Sequence, residues 1–381
     1  RGPGGLVTAR APPARRRVLA LLGAGLAASR ARAAPADDGS SYPAVVPGVR
    51  LAFPRDHGAH PAYRTEWWYL TGWLRRLDGA RRGEPLGVQV TFFRSRTRHA
   101  ADNPSRFAPT QLLLAHAALA VPGRARLLHA QRAARAGFGL ASAATHETAV
   151  GIGSWSLLRS ADDRYRARVD DRELAVTLEL APRTAPVAQG DGGFSRKGPQ
   201  ATQASYYYSR PQLPATATVV LGGETVRAAG IAWLDHEWSS EILDASSDGW
   251  DWTGLNFDDG SALVAFRIRR RDGGVLWSHA RWIDAGGATP AAPSGRDVAP
   301  RFVPTRSWTS PRTGARYPVA MTIAVGARTL ALEPLFDDQE LDARASTGTV
   351  YWEGAVRVSE AEREVGRGYL ELTGYAGALR M

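Results

Sequence analysis

The chain has no cysteine, so disulfides, thiolate metal sites and lipidated cysteines are all excluded, and its folded parts rely on their cores. Lysine is nearly absent: Lys197 stands alone among 48 basic residues, with arginine in every other place. No Gly-x-Ser-x-Gly elbow occurs, which removes the usual signal of a serine hydrolase. The longest apolar run, Val18 to Ala28, is 11 residues and too short to span a bilayer as a helix. No sustained 3.6-residue stripe appears, so long amphipathic helices are not expected. An excess of basic charge over the whole length is also missing. Seven arginines lie in the first 33 residues, which hold no acid, so the formal charge of +11 falls to +4 beyond them. The other arginines alternate with Asp and Glu, which argues against a nucleic-acid-binding face.

What is present is 44% hydrophobic residues and 12 tryptophans over 381 residues, enough for one or two cores. Residues 1–33 read as a signal peptide: Arg15-Arg16-Arg17, the apolar run, then Ala31-Arg32-Ala33 before a cleavage site. Either a Sec or a Tat route fits, and the expected location is the periplasm or beyond. Residues 34–55 form a Pro-, Gly- and Ala-rich extended lead-in. The rest consists of short segments rich in Trp, Tyr, Val and Thr, separated by Gly, Pro and Asp, which predicts an all-β protein.

Two halves carry the same landmarks in the same order. Trp68-Tyr69-Leu70-Thr71-Gly72 is answered by Trp250-Asp251-Trp252-Thr253-Gly254, Phe93-Arg94 by Phe266-Arg267, and Ala115-His116-Ala117 by Ser278-His279-Ala280. Further matches pair Ser154-Trp155 with Ser307-Trp308 and Gly230 with Gly368. The shared order predicts an internal duplication giving two tandem antiparallel β-barrels, over 56–240 and 241–381. The first is longer through polar insertions at Arg96 to Pro109 and Thr184 to Gln203, of the kind that line a barrel mouth.

Asp235-His236-Glu237 between Trp233 and Trp238 is the densest candidate site, because charges in an aromatic frame must be paired, solvated or functional. Strand alternation places Asp235 and Glu237 on one face and His236 and Trp238 on the other. Aligning Gly230 with Gly368 sets Asp235-His236-Glu237 against Thr373-Gly374-Tyr375; the match of Trp68 to Trp250 sets Glu66 against Asp248, and Tyr206-Tyr207-Tyr208 meets Val350-Tyr351-Trp352. The chemistry is therefore expected in or beside the first barrel. Candidate catalytic residues are Asp235, His236, Glu237 and Trp238. Glu66, Trp68, Tyr206, Tyr207, Tyr208, Trp250 and Trp252 are candidate ligand-binding residues. For Asp235 and Glu237, an arginine-paired structural lock competes evenly with catalysis. His116 is expected to be structural. Asp56, His57 and His60 have no metal-fixing spacing and are expected as solvated loop residues, so neither metal nor cofactor is expected.

At Phe53-Pro54-Arg55-Asp56-His57, Glu66-Trp67-Trp68-Tyr69-Leu70-Thr71-Gly72, Trp233-Leu234-Asp235-His236-Glu237-Trp238 and Trp250-Asp251-Trp252 the chain resembles the carotenoid 1,2-hydratase (hydroxyneurosporene synthase) and AttH-like proteins. The resemblance implies two lipocalin-like barrels and an apolar isoprenoid or lipid ligand. It also implies cofactor-free addition of water to a terminal double bond. A non-catalytic lipid carrier, peripheral to a membrane, and a secreted hydrolase of other substrates are the competing functions. The His-x-Trp pair of the hydratases is matched by His236 and Trp238, and their further aspartate and tyrosine by Phe257-Asp258-Asp259, where the tyrosine hydroxyl is missing. In that scheme Asp235 protonates the alkene, His236 handles the water and Trp238 faces the cation.

Overall fold

The computed structural model describes residues 42–100, 102–124, 126–286 and 299–379. The expected signal peptide and the first part of the lead-in lie outside the described residues. Among those described, the one helix is a single 3-10 turn, Arg55–His57, and the rest is strand and loop.

The first sheet comprises β1 (Thr65–Arg76), β2 (Pro85–Arg96), β3 (Gln111–Ala120), β4 (Leu128–Arg135), β5 (Ala141–Ala143), β6 (Ala149–Ile152), β7 (Trp155–Arg159), β8 (Tyr165–Asp170), β9 (Ala175–Leu180), β10 (Val187–Ala188), β11 (Phe194–Arg196), β12 (Ala204–Leu221) and β13 (Glu224–Glu241). Its path runs β4-β3-β2-β1-β13-β12-β9-β8-β7-β6-β5, with β10 and β11 on β12. β3 and β4 come against β6, so the sheet nearly closes into a barrel. The second sheet holds β14 (Ser247–Phe257), β15 (Ala262–Arg270), β16 (Val275–Ile283), β17 (Arg301–Thr309), β18 (Arg316–Val325), β19 (Arg328–Pro334), β20 (Glu340–Ala343), β21 (Thr349–Glu360) and β22 (Arg363–Leu372). Its path is β16-β15-β14-β22-β21-β19-β18-β17, a half-barrel, with β20 on β21. All the strand pairs are antiparallel, and the fold is the expected all-β pair of tandem barrel units.

Burial patterns show how the units pack. β8 alternates strictly, with Tyr165, Ala167 and Val169 buried and Arg166, Arg168 and Asp170 exposed, as a strand with one wet face must. The middle of β1 and of β13 is instead buried on both faces. One face fills the first barrel, around Trp68, Phe92, Trp155, Tyr208 and Leu234. The other packs against the second sheet through Tyr69, Trp73, Trp233, Trp252, Phe266 and Tyr351. A third core, with Leu255, Tyr317, Met321, Trp352 and Leu370, fills the second unit. Burying side chains of this size contributes roughly 1.5–3 kcal/mol each, so the layer between the sheets holds the units together. A bulge in β12 adds polar ties: Gln212, at φ 54°, donates from its backbone to Asn256 and from its side chain to the carbonyls of Phe257 and Ser261.

Candidate functional site

β13 lies between β1 and β12, and its register sets two cross-strand rows on each face. Inside the first barrel Trp68, His236 and Tyr208 form one row, and Glu66, Trp238 and Tyr206 the next. On the face toward the second sheet the rows are Trp67, Glu237, Tyr207 and Tyr69, Asp235, Ser209. Neighbours in sequence are thus separated by the thickness of the sheet.

The inner face is a closed polar network. Glu66 is fully buried and accepts from Arg94 Nε at 2.7 Å, His60 Nδ1 at 2.8 Å and His236 Nε2 at 2.9 Å. Burial would raise its pKa, but the hydrogen bonds from His236 and His60, with the Arg94 charge, outweigh burial and hold it well below the carboxylate range. Trp238 stacks on His60 with ring centroids 3.6 Å apart, and Trp68 stacks on His236 at 4.7 Å. Tyr208 OH lies 2.9 Å from His57 Nδ1, and burial pushes His57 down to about 3, so that ring is neutral. Tyr206 OH donates to the Val46 carbonyl at 3.0 Å, pinning the lead-in across this end of the barrel.

Asp56 and His57 are each 2% exposed, which corrects the expectation of solvated loop residues. The cause is non-local: the 3-10 turn plugs the barrel, Asp56 accepts from the Ala52 backbone at 2.6 Å, and His57 meets Tyr208 from a strand 151 residues away. Among the described residues, the ligand atoms of His60, Glu66 and His236 converge within 4.8 Å of one another. Their 2.8 and 2.9 Å contacts are hydrogen-bond lengths, and Arg94 already supplies the cation Glu66 needs. As arranged, the set fits a lock better than a metal centre.

The outer face borders a partly open cavity of about 80 Å³ between the two sheets. Trp67, Tyr69 and Phe93 wall it from the first sheet, and Trp250, Trp252, Phe266 and Tyr351 from the second. Four carboxyl groups face it: Asp235, Glu237, Glu353 and Glu371. Lys197, carried in by the Thr184 to Gln203 insertion, pairs with Glu237 at 2.8 Å, and Ser205 donates to the same carboxylate. Asp235 accepts three hydrogen bonds, from Ser209 Oγ at 2.6 Å, Tyr207 OH at 2.7 Å and Trp233 Nε1 at 2.7 Å. Burial still outweighs those donors and pushes Asp235 up to about 7. Glu371 is pushed to about 7 by burial, with Asp235 and Glu237 adding repulsion.

Glu353 differs from its neighbours. It is 1% exposed and receives one hydrogen bond, from Tyr69 OH at 2.5 Å on its Oε1, while its Oε2 is buried with no partner. Burial, then repulsion from Glu371, raises it well above the carboxylate range. A buried carboxyl oxygen without a donor is costly as an anion and far less so as an O–H.

Register also corrects the alignment of the two halves. Trp68 and Trp250 lie on equivalent strands, β1 and β14, but on opposite faces, one inside the first barrel and the other against the cleft. In β1, Glu66 stands opposite Arg94, and Trp67 opposite Phe93 and Glu237. In β14, Asp251 stands opposite Arg267, and Trp252 opposite Phe266 and Glu371. Glu66 therefore corresponds to Asp251, not Asp248, and Asp251 is likewise buried against Arg267 at 2.6 Å. Glu237 corresponds to Glu371, and Tyr207 to Glu353, so the second unit carries its own acids. Asp235 and His236 correspond to Tyr369 and Leu370, so those two are particular to the first unit.

The eleven residues singled out from sequence therefore divide. Asp235, Glu237, Trp250 and Trp252 line the cleft. Tyr207 donates to Asp235 from its edge. Glu66, Trp68, Tyr206, Tyr208, His236 and Trp238 lie inside the first barrel, so no single pocket of that barrel holds the whole set. Phe257 packs in the second core while Asp258 and Asp259 sit in an exposed turn after β14, away from His236. Sequence reasoning missed Glu353, Glu371, Lys197 and Tyr69. His116 bridges Tyr351 OH and Ser346 Oγ, each at 2.8 Å, between the units.

A family model described as AttH-like matches residues 44–375. A Nitrosomonas europaea crystal structure assigned as an AttH superposes with a TM-score of 0.79 at 46% identity, covering 87% of this chain and 99% of that one. Kievitone hydratase from Nectria haematococca shares the fold, with a TM-score of 0.64 at 14% identity over 88% of this chain and 96% of that one. No curated protein matches. With the family model covering most of its length and its motifs on the strands that build both faces of β13, the chain belongs to the AttH-like family.

Proposed function

We propose that the chain binds an apolar, unsaturated ligand, an isoprenoid or related lipid, in the cleft between its units and adds water across a carbon–carbon double bond without a cofactor. The observation that carries this is Glu353: a buried carboxyl with one unpartnered oxygen on an aromatic-walled cavity. Alkene hydration needs an acid that keeps its proton at neutral pH, a wall that tolerates positive charge, and an acceptor for the proton of water. Kievitone hydratase is a hydratase on the same fold, which is support by analogy alone.

In this reading Glu353 Oε2–H protonates one alkene carbon, and the cation on the adjacent carbon faces the Trp and Phe rings of the cleft. Water forms the C–O bond, and its proton passes to the carboxylate of Glu237, which pairs with Lys197. Return of that proton through the carboxyl cluster to Glu353 resets the site. Asp235, expected from sequence to be the donor, is the weaker candidate, because three donors already occupy its oxygens. His236 and Trp238 act as positioning residues, locking β13 from the inner face so that Asp235 and Glu237 are held on the outer one. The test is incubation of the purified protein with an acyclic isoprenoid followed by extraction and mass spectrometry. An alcohol gained by addition of water supports hydration; a ligand that binds and returns unchanged supports the carrier. We also propose export to the periplasm or beyond, on residues 1–33 alone.

A further inference from the structure

We infer that the cleft takes a hydrophobic organic cation, a quaternary ammonium on an apolar chain, in preference to a neutral or anionic ligand of the same length. This goes beyond the reading above, in which the substrate is neutral and only the intermediate is a cation, and it rests on the lining of the cavity and not on turnover.

Among the described residues Lys197 is the only basic side chain that lines the cavity, where it faces four carboxyl groups. That ammonium is already engaged, 2.8 Å from Glu237 and 3.1 Å from Ser195 Oγ. Nothing is left to neutralise a second anion. A carboxylate ligand would add a fifth acid to a space walled largely by aromatic rings, where repulsion is less screened than in bulk water. A purely apolar chain end in the cavity would leave Glu353 Oε2 unpartnered. A cation lying over the aromatic faces would favour the ionised forms of Glu353 and Glu371, their protons passing to solvent, and would pair with the carboxylates so formed. The walls already host a charge in this way: Lys197 Nζ is 4.2 Å from the Phe266 ring centroid and 4.7 Å from that of Tyr207. If the cleft stabilises a carbocation during hydration, an ammonium of the same shape presents that charge in a lasting form.

The test is a tryptophan-fluorescence titration of the signal-cleaved protein at neutral pH with decyltrimethylammonium, decanol and decanoate, all below micellar concentrations. The ammonium is expected to bind at least about tenfold more tightly than the alcohol, with decanoate weakest. The double variant Glu353→Gln, Glu371→Gln is expected to lose the preference and keep the alcohol. Should that variant fail to fold, the order in the unmodified protein decides alone. Equal affinities, tighter decanoate, or no binding of any of the three overturns the inference. Cation preference without hydration would refute the enzymatic reading and leave this one standing. Hydration without cation preference would do the reverse.

Discussion

Tyr69, on the first sheet, donates its hydroxyl to Glu353 Oε1 on the second at 2.5 Å. Each unit therefore completes a polar group of the other, and the acid proposed for catalysis depends on both. Replacing Tyr69 with Phe removes the one donor that the Glu353 carboxyl has among the described residues. Since that bond favours the ionised form, its loss should raise the pKa of Glu353 further, and the alkaline limb of the pH–rate profile, where the acid gives up its proton, should move to higher pH. The accompanying stability loss should be about 1–3 kcal/mol, read by urea unfolding. An unmoved pH–rate profile would disconnect Tyr69 from the acid.

Arg94 tests the lock on the inner face. Arg94→Leu leaves the buried Glu66 facing two histidines without its guanidinium, and such a break costs roughly 3–5 kcal/mol. Urea unfolding should show that loss. A variant as stable as the parent would mean that the network does not hold the barrel end.

Asp235 and Glu371 give stability an unusual pH slope. Both are pushed up to about 7 from ordinary values of 3.8 and 4.5. The folded state then holds more protons than the unfolded one, so their contribution is complete below about pH 4 and is lost as pH rises through 7. Asp235→Asn with Glu371→Gln should flatten the decline in this window, by at most about 1.4 kcal/mol per pH unit for each group. Parallel curves for parent and variant would show that neither carboxyl is shifted.

Export is checked on protein recovered from its own cell type. The mature N-terminus, read by mass spectrometry, should begin just after Ala33, in the periplasmic or secreted fraction. A form that still contains Arg15 to Arg17 would contradict the signal peptide.

The all-β duplication was legible because strand pairs repeat local patterns: Phe93-Arg94 and Phe266-Arg267 do hold equivalent ladder positions beside Glu66 and Asp251. Alternation also separated His236 and Trp238 from Asp235 and Glu237. Register was not legible, because it is set by pairing between distant strands. Matching Trp68 to Trp250 therefore set residues of opposite faces against each other, and Glu371 was not recognised as the counterpart of Glu237. Glu353 lies in a strand whose alternation gives no hint that both faces are covered, and its burial comes from Tyr69 and the first sheet. Asp56, His57 and His60 carry the composition of a wet loop, and only the barrel end they plug makes Asp56 and His57 dry and leaves His60 partly covered.

The most direct measurement of the central claim is oxygen transfer from heavy-oxygen water into an acyclic isoprenoid, compared between the parent protein and Glu353→Gln. The parent should yield an alcohol carrying the heavy oxygen. The variant should bind the ligand equally well and form that alcohol roughly 10²–10⁴ times more slowly, as loss of a general acid requires. Equal labelling by the two proteins, or a bound ligand that the parent never labels, would contradict the account.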